Sequence, residues 1–578
     1  MHGSPTLYSA MPVSLCQSKK MTELEEKMLF EKYALKSFKN YEDFSKNFQI
    51  TIPENYNFAF DCIDVLARQT PDKKALFWCN ENGDERQYSF SELSRLSNAA
   101  ARFFLTCGIK KGDKVMLILK RRAQYWYAVL GLMKIGAISI PATHLLTQKD
   151  ISYRNKLASI SSIISIEEGS ILKSIEDSRL DSPSLKNLFK LGEKREGWIS
   201  FDDGITENMD GDEIPRNTQN NDLMMLYFTS GTTGMPKMVA HNYTYPLGHI
   251  ATARFWHNLD ENSLHLSISD TGWAKASWGK MFGQWLCEST VFVYDHERFH
   301  AKDMLKIISK YKITSFCAPP TVFRFLVRED ISAYDLHALK SVTTAGESLN
   351  PEVFHQFQNM TGLIIREAYG QTETTPLIMT SIYSQSHPGA LGKPNPLYDV
   401  LLLDENCDPV PIGEEGEICL KLEPGQTPGV FTGYYRDKEL TKNTWYNGIY
   451  HTGDRASLDE EGYLWFIGRA DDMIKSSGYR IGPFEVESTL MEHPAVLECA
   501  VTGEPDSLRG QIVKATIVLA KNYLPTEDLK KKLQEYVKNA TAAYKYPRLI
   551  DFVPELPKTI SGKIRRVALR EKPNQSFI

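Results

Sequence analysis

The chain lacks any Cys-x-x-Cys pair. Its nine cysteines, at positions 16, 62, 79, 107, 287, 317, 407, 419 and 499, are odd in number and scattered. That spacing argues against a disulfide framework or a zinc ribbon and fits reduced thiols in an intracellular protein. Long apolar runs are missing too. The longest apolar region, 125–146, is interrupted by Lys134, Pro141 and His144, so it reads as a buried helix and a following strand instead of a membrane span. The first 20 residues hold no arginine and no compact apolar segment, which argues against a secretory leader, and Met21 is an alternative start. Neither charge dominates: Lys plus Arg is 67, Asp plus Glu is 72, and the net charge is −5. This excludes a broad electrostatic grip on nucleic acid but leaves room for a local basic site. Internal repeats and low-complexity tracts are absent as well.

What is present is a globular composition, 42% hydrophobic and 24% charged, on 578 residues. That length exceeds one ordinary core and calls for several subdomains. A helix is expected over 22–39, capped by Thr22 and Glu25, and another from Ser89 with Glu92 completing the capping box. Short apolar runs at 114–119, 138–140, 289–294 and 314–318 alternate with helical patterns such as 124–135, which implies α/β layers with mainly parallel sheets. Beyond about residue 390, short alternating strands at 399–403, 417–420 and 463–466 suggest a small antiparallel or barrel-like subdomain. The Gly- and charge-rich stretch 468–483 reads as a linker, and 486–538 as a small α+β unit.

Five stretches carry the chemistry. The first, YFTSGTTGMPK at 227–237, offers hydroxyls, Gly231 and Gly234 for close backbone approach, and the mobile charge of Lys237. Lys237 follows Pro236, so this is no Walker A loop. AYGQTET at 368–374 combines an aromatic beside a Gly turn with a carboxylate suited to Mg²⁺. YHTGD at 450–454 offers an Asp after a Gly turn, able to accept from ribose hydroxyls. GRADDMIK at 468–475 has a hinge-like composition, and LPKTISGKIRR at 556–566 places Lys563 after a Ser-Gly pair. Taken singly, each also reads as an ordinary turn, linker or solvated tail.

In this order the five resemble the core motifs of the adenylate-forming enzymes: acyl-CoA synthetases, peptide-synthetase adenylation domains and luciferases. The resemblance covers roughly 30–570. DTGWAK at 270–275, AGESL at 345–349, SGYRIGPFE at 477–485 and YKYPR at 544–548 are similar to the medium-chain acyl-CoA synthetase branch. It implies a large N-terminal domain of layered, mainly parallel sheets with a barrel-like subdomain (26–468), preceded by an extension (1–25). A hinge (469–475) and a small mobile α+β domain (476–578) carrying Lys563 would follow.

The resemblance also implies roles. Thr229, Ser230, Gly231, Thr232, Thr233, Gly234 and Lys237 would hold the ATP phosphates. Gly346, Glu347 and Ser348 with Glu367, Ala368 and Tyr369 would form the adenine slot, followed by Gly370 and Gln371. Thr372 would touch the α-phosphate, Glu373 would bind Mg²⁺, and Asp454 and Arg469 would hold the ribose. Asp471 would be the hinge, and Lys563 would bridge the carboxylate and the α-phosphate. Ser477, Gly478, Tyr479, Arg480, Arg509 and Lys538 match CoA-contacting positions, and Trp273, Lys275, Trp278 and Gly279 would wall the acyl pocket. The implied activity is an AMP-forming acid–thiol ligase using ATP and CoA on short- to medium-chain acids, branched ones included. A benzoate-type aryl-CoA ligase or an enzyme loading a carrier protein are alternatives, and a silent nucleotide-binding regulator the remotest. The expected state is a monomer or homodimer in the cytoplasm, or in the mitochondrial matrix for an animal source.

Overall fold

The computed structural model describes residues 27–229, 236–477, 479–558 and 564–570. Its fold is mixed α/β, with two large sheets and a separate C-terminal sheet. The first sheet runs Ile199–Ser200, Asn187–Lys190, Ser162–Ser165, Lys114–Ile118, Ile138–Pro141, Leu223–Thr229 and Lys237–Asn242, parallel except for the last hairpin. Four of the five residues of Lys114–Ile118 and all four of Ile138–Pro141 are buried. That is why these strands read as continuous apolar runs: parallel strands are covered on both faces.

The second sheet has a parallel half, with Thr290–Asp295, Leu264–Ser267, Ser315–Ala318, Ser341–Ala345 and Ile365–Tyr369 as successive neighbours. Its antiparallel half continues through Ala390–Pro394, Leu464–Arg469, Ile449–Leu458 and Glu415–Lys421 to Val400–Leu403.

Gln124–Ile135 is buried at every position after Gln124 and shares one core with residues of both sheets. A helix that is apolar all round belongs in such an interior. It lies close to Phe90–Thr106 because position 131 is glycine. A Cβ there would come 2.7 Å from Ala100 Cβ, so even Gly131→Ala would force the two helices apart. No described helix is long and apolar enough to cross a membrane, and the described cysteines are all free.

The C-terminal sheet joins Ile474–Ser476 and Tyr479–Ile481 to Gly510–Leu519, Val496–Asp506 and Leu549–Phe552, with Pro483–Glu492 and Glu527–Ala540 as its helices.

Three expectations need correction. The helix over 22–39 is, among the described residues, only the short 3-10 turn Leu29–Lys32. Its apolar residues reach different neighbours instead of one face, Tyr33 packing edge-on to Tyr56 while Phe38 packs on Phe255. The linker over 468–483 contains a hairpin, Ile474–Ser476 with Tyr479–Ile481, because Ile474 and Ile481 are buried in the C-terminal core. Ser89 does cap its helix by accepting from the Glu92 amide at 3.2 Å, but the Glu92 carboxylate turns to Arg86 instead of closing the capping box.

Candidate active site

Several expected motifs sit where parallel strands end. Ser341–Ala345 runs into Gly346, Glu347 and Ser348, and its neighbour Ile365–Tyr369 runs into Gly370, Gln371, Thr372 and Glu373. The carboxyl ends of parallel strands are where open α/β sheets hold ligands. The Gly370 turn is compact of necessity: a Cβ would lie 2.6 Å from the Thr375 carbonyl oxygen and 2.7 Å from the Trp278 ring. Gly346 has φ +101, which favours glycine.

Asp454 is the hub. Its Oδ2 accepts from the Tyr369 hydroxyl and from Gln371 Nε2, both at 2.6 Å. Gln371 Nε2 also reaches the Thr452 carbonyl at 2.9 Å, and Tyr450 donates to Gln371 Oε1 at 2.8 Å. Asp454 stands opposite Arg469 in the antiparallel ladder, with the guanidinium 3.6 Å from Oδ1. Arg469 Nε donates to Asp471 Oδ1 at 3.0 Å. Burial works against the Arg469 charge, but Asp454, Asp471 and Asp472 outweigh it and raise its pKa.

Glu373 is only 7% exposed. Burial raises its pKa, opposed by the Tyr434 hydroxyl, which donates to Oε1 at 2.8 Å, and by the charge of Lys237. Lys237 Nζ lies 5.1 Å above the Tyr434 ring, so the end of the phosphate-loop motif and the carboxylate meet over one tyrosine. Thr229 and Lys237 face each other as the last pair of their hairpin. Ser230, Gly231, Thr232, Thr233 and Gly234 between them, like Gly478 and Lys563, lie outside the described residues. The flanks of Lys563 are described: Lys558 pairs with Ile564.

Two further groups shape the turn. The Nε2–H of buried His241 donates to the Thr372 carbonyl at 2.9 Å, and burial pushes this imidazole down to about 4, so it is neutral. Glu367, fully enclosed beside Ala368, is pushed up to about 8 by burial, partly offset by the Leu349 amide that it accepts at 3.2 Å. Glu347 accepts from the Thr321 hydroxyl at 3.1 Å.

The acyl-side residues meet the nucleotide-side turns. Lys275 Nζ donates to the Ala345 carbonyl, buried Trp278 packs under Gly370, and a Cβ on Gly279 would lie 2.5 Å from Ser267 Oγ. Trp273 is half-buried at the turn before Lys275–Gly279.

The CoA-side set is less gathered. The Ser477 amide donates to the Arg509 carbonyl at 2.9 Å, and Tyr479 stacks on Tyr544 at 4.0 Å. Lys538 stands 5.9 Å over the Tyr546 ring. Arg480 instead donates to Glu405 of the antiparallel half at 2.7 Å.

Sequence reading missed Tyr434, Tyr450 and His241, whose partners are far away in the chain. It also missed a charge cluster beside Asp471. Arg566 donates to buried Glu487 at 2.7 Å and stands 3.6 Å from Asp472, which also takes Arg570. The basic run at 563–566 was the one local signal for it.

The chain matches the family model described as AMP-binding enzyme over residues 63–435, and AMP-binding enzyme C-terminal domain over 485–563. It is 41% identical to mitochondrial acyl-coenzyme A synthetase ACSM3 of Mus musculus over 93% of this chain and 94% of that protein. To mitochondrial ACSM4 of Homo sapiens it is 42% identical over 90% and 91%. The anthranilate CoA ligase AuaEII, solved with anthranoyl-AMP, superposes with TM-score 0.82 at 31% identity, covering 90% of this chain and 97% of that one. A benzoate CoA ligase from Burkholderia xenovorans gives 0.77 at 25%, covering 89% and 100%.

Proposed function

The chain belongs to the AMP-binding enzyme family, and from that premise we infer that it is an AMP-forming acyl-CoA synthetase, an acid–thiol ligase. The observation that carries this reading is the cradle in which Tyr369 and Gln371 hold Asp454 while Glu373 and Lys237 share Tyr434. The resemblance assigns Tyr369 to adenine, Asp454 to ribose, Glu373 to Mg²⁺ and Lys237 to phosphate, and the relatives are named acyl-coenzyme A synthetases.

In the first half-reaction a carboxylate oxygen attacks the α-phosphorus of ATP and pyrophosphate leaves. Two anions meet, so positive charge must be placed in advance at the oxygens that gain charge. Lys563 and Thr372 take that role, with Lys237 and the hydroxyls of Thr229–Thr233 steadying the departing phosphates. In the second half-reaction the CoA sulfur attacks the acyl carbon and AMP leaves. Arg480, Arg509 and Lys538 supply cations for CoA, and Asp471 is the pivot between the 26–468 domain and the 476–578 domain.

Mg²⁺ fits Glu373: an enclosed carboxylate held by one tyrosine hydroxyl offers an oxygen ligand, and Mg²⁺ takes its others from water and phosphates. When bound it would neutralise phosphate charge. The acid is a short- to medium-chain one, branched acids included. An aromatic acid is the second reading, favoured by the likeness to the anthranilate and benzoate ligases. The relatives are named mitochondrial, which favours a mitochondrial location over the cytoplasm.

The test is pyrophosphate release over a panel of straight, branched and aromatic acids, with and without CoA. We expect AMP and acyl-CoA to form in equal amounts with at least one short- or medium-chain aliphatic acid. Release that never requires CoA for turnover, or no release with any acid, would sink the reading.

A further inference from the structure

A second cluster of chemically active side chains lies on the adjoining ladder, where Glu415–Lys421 pairs with Ile449–Leu458. Glu417 and Cys419 are two apart on Glu415–Lys421, so they share a face. A register shift falls between them, and Cys419 stands directly opposite His451. His451 Nδ1 lies 3.1 Å from Glu417 Oε2 and 3.5 Å from Cys419 Sγ. One donor atom from each residue falls within 4.8 Å of the other two.

We propose that Glu417, Cys419 and His451 form a binding site for a divalent cation of the zinc class. A tetrahedral ion with sulfur at ~2.3 Å, nitrogen at ~2.0 Å and oxygen at ~2.1 Å sets sulfur and nitrogen about 3.5 Å apart, and oxygen and nitrogen about 3.4 Å apart. The present spacings are within a few tenths of an ångström of both.

A nucleophilic relay would place the thiol and the carboxylate on opposite ring nitrogens. Here both converge on Nδ1, while Nε2 is buried without a partner. The three groups therefore face one point, which suits an ion. Thiolate, imidazole and one carboxylate select zinc-like ions over magnesium.

The surroundings support such a site. The Tyr446 ring lies flat on the imidazole, 3.9 Å away and 8° off parallel, and its hydroxyl stands 3.3 Å from Nδ1. A water can take the fourth position. Binding releases the Cys419 thiol proton to solvent, and the imidazole binds in its neutral form through Nδ1 with its single proton on Nε2. Glu417 Oε1 meanwhile keeps the Gly453 amide, at 2.8 Å, the residue before Asp454. None of this depends on which acid the enzyme activates.

The experiment is titration of the purified, metal-free full chain with Co²⁺. A thiolate-to-cobalt charge-transfer band should saturate at one equivalent, survive excess Mg²⁺ and vanish on adding equimolar Zn²⁺. Cys419→Ser should lose the band, and His451→Gln should weaken cobalt binding by more than ~10-fold. Zn²⁺ should raise the melting temperature of the parent chain and leave that of Glu417→Gln unchanged. No band at excess Co²⁺, or a band that persists in Cys419→Ser, would overturn the proposal. If Cys419→Ser does not fold, equal cobalt affinity in the parent and His451→Gln would do so.

Discussion

The nucleotide cradle and the docking face of the C-terminal unit are held by different forces. In the cradle Asp454 and Glu373 are 5% and 7% exposed, and each is tied by tyrosine or amide donors at 2.6–2.8 Å. On the docking face, Arg480 meets Glu405 with side chains 44% and 73% exposed, and Asn350 reaches the Ser488 carbonyl at 3.2 Å. Exposed ion pairs contribute only ~0.2–1 kcal/mol, whereas leaving a buried polar group unpaired costs ~1–3 kcal/mol. Breaking the cradle contacts thus costs more than separating the exposed Arg480–Glu405 pair. Inside that unit the rule reverses again. Arg566 is locked to buried Glu487 and to Asp472, which ties the segment after Lys563 to the stretch around Asp471.

The contrast can be broken from either side. Lys563→Ala is the largest test. Acyl-AMP formation should fall by ~10²–10³, or ~3–4 kcal/mol of barrier, while thioester formation from supplied acyl-AMP is largely spared. Single-turnover assays of each half separate the two, and equal losses would remove the assigned role.

Next is the cradle itself. Gln371→Leu takes one donor each from Asp454 and the Thr452 carbonyl and the acceptor from the Tyr450 hydroxyl, so stability should drop by ~1–3 kcal/mol and the KM for ATP should rise. Chemical denaturation and steady-state kinetics read both.

A smaller effect comes from Glu367. Folded, it keeps its proton up to about 8, whereas the unfolded chain releases it near 4.5. Between those values the native state binds more protons, so its stability contribution is present at low pH and lost as pH rises. The slope is at most ~1.4 kcal/mol per pH unit. Glu367→Gln should flatten that part of the stability–pH curve, and an unchanged slope would mean the carboxyl is ionised in the fold.

The smallest is Glu405→Ala. Loss of one exposed pair should alter global stability by no more than ~1 kcal/mol, yet free Arg480. The KM for CoA should fall or stay level, and a rise would count against Arg480 as a CoA contact.

Much of this architecture was legible locally. The parallel strands announced themselves as short apolar runs because both of their faces are covered. Ser89 signalled a helix start because an N-cap needs only its own neighbours. Glu92 misled because Arg86 competes for the same carboxylate, and 468–483 misled because charge and glycine conceal that Ile474 and Ile481 point inward. The site's order along the chain was visible, but its wiring was not: Tyr369 and Asp454 are 85 residues apart, and Glu373 and Tyr434 are 61 apart.

By itself the sequence determined the alternation of strands and helices, the positions of the glycine turns and the order of the motifs, since these follow from short-range periodicity and backbone freedom. Only the tertiary structure decided which groups share a proton, a charge or a donor point. Tyr434 joins Lys237 to Glu373, Arg566 joins Glu487 to Asp472, and Glu417 and Cys419 converge on His451, because hydrogen bonding and desolvation act through space between strands that the chain brings together late.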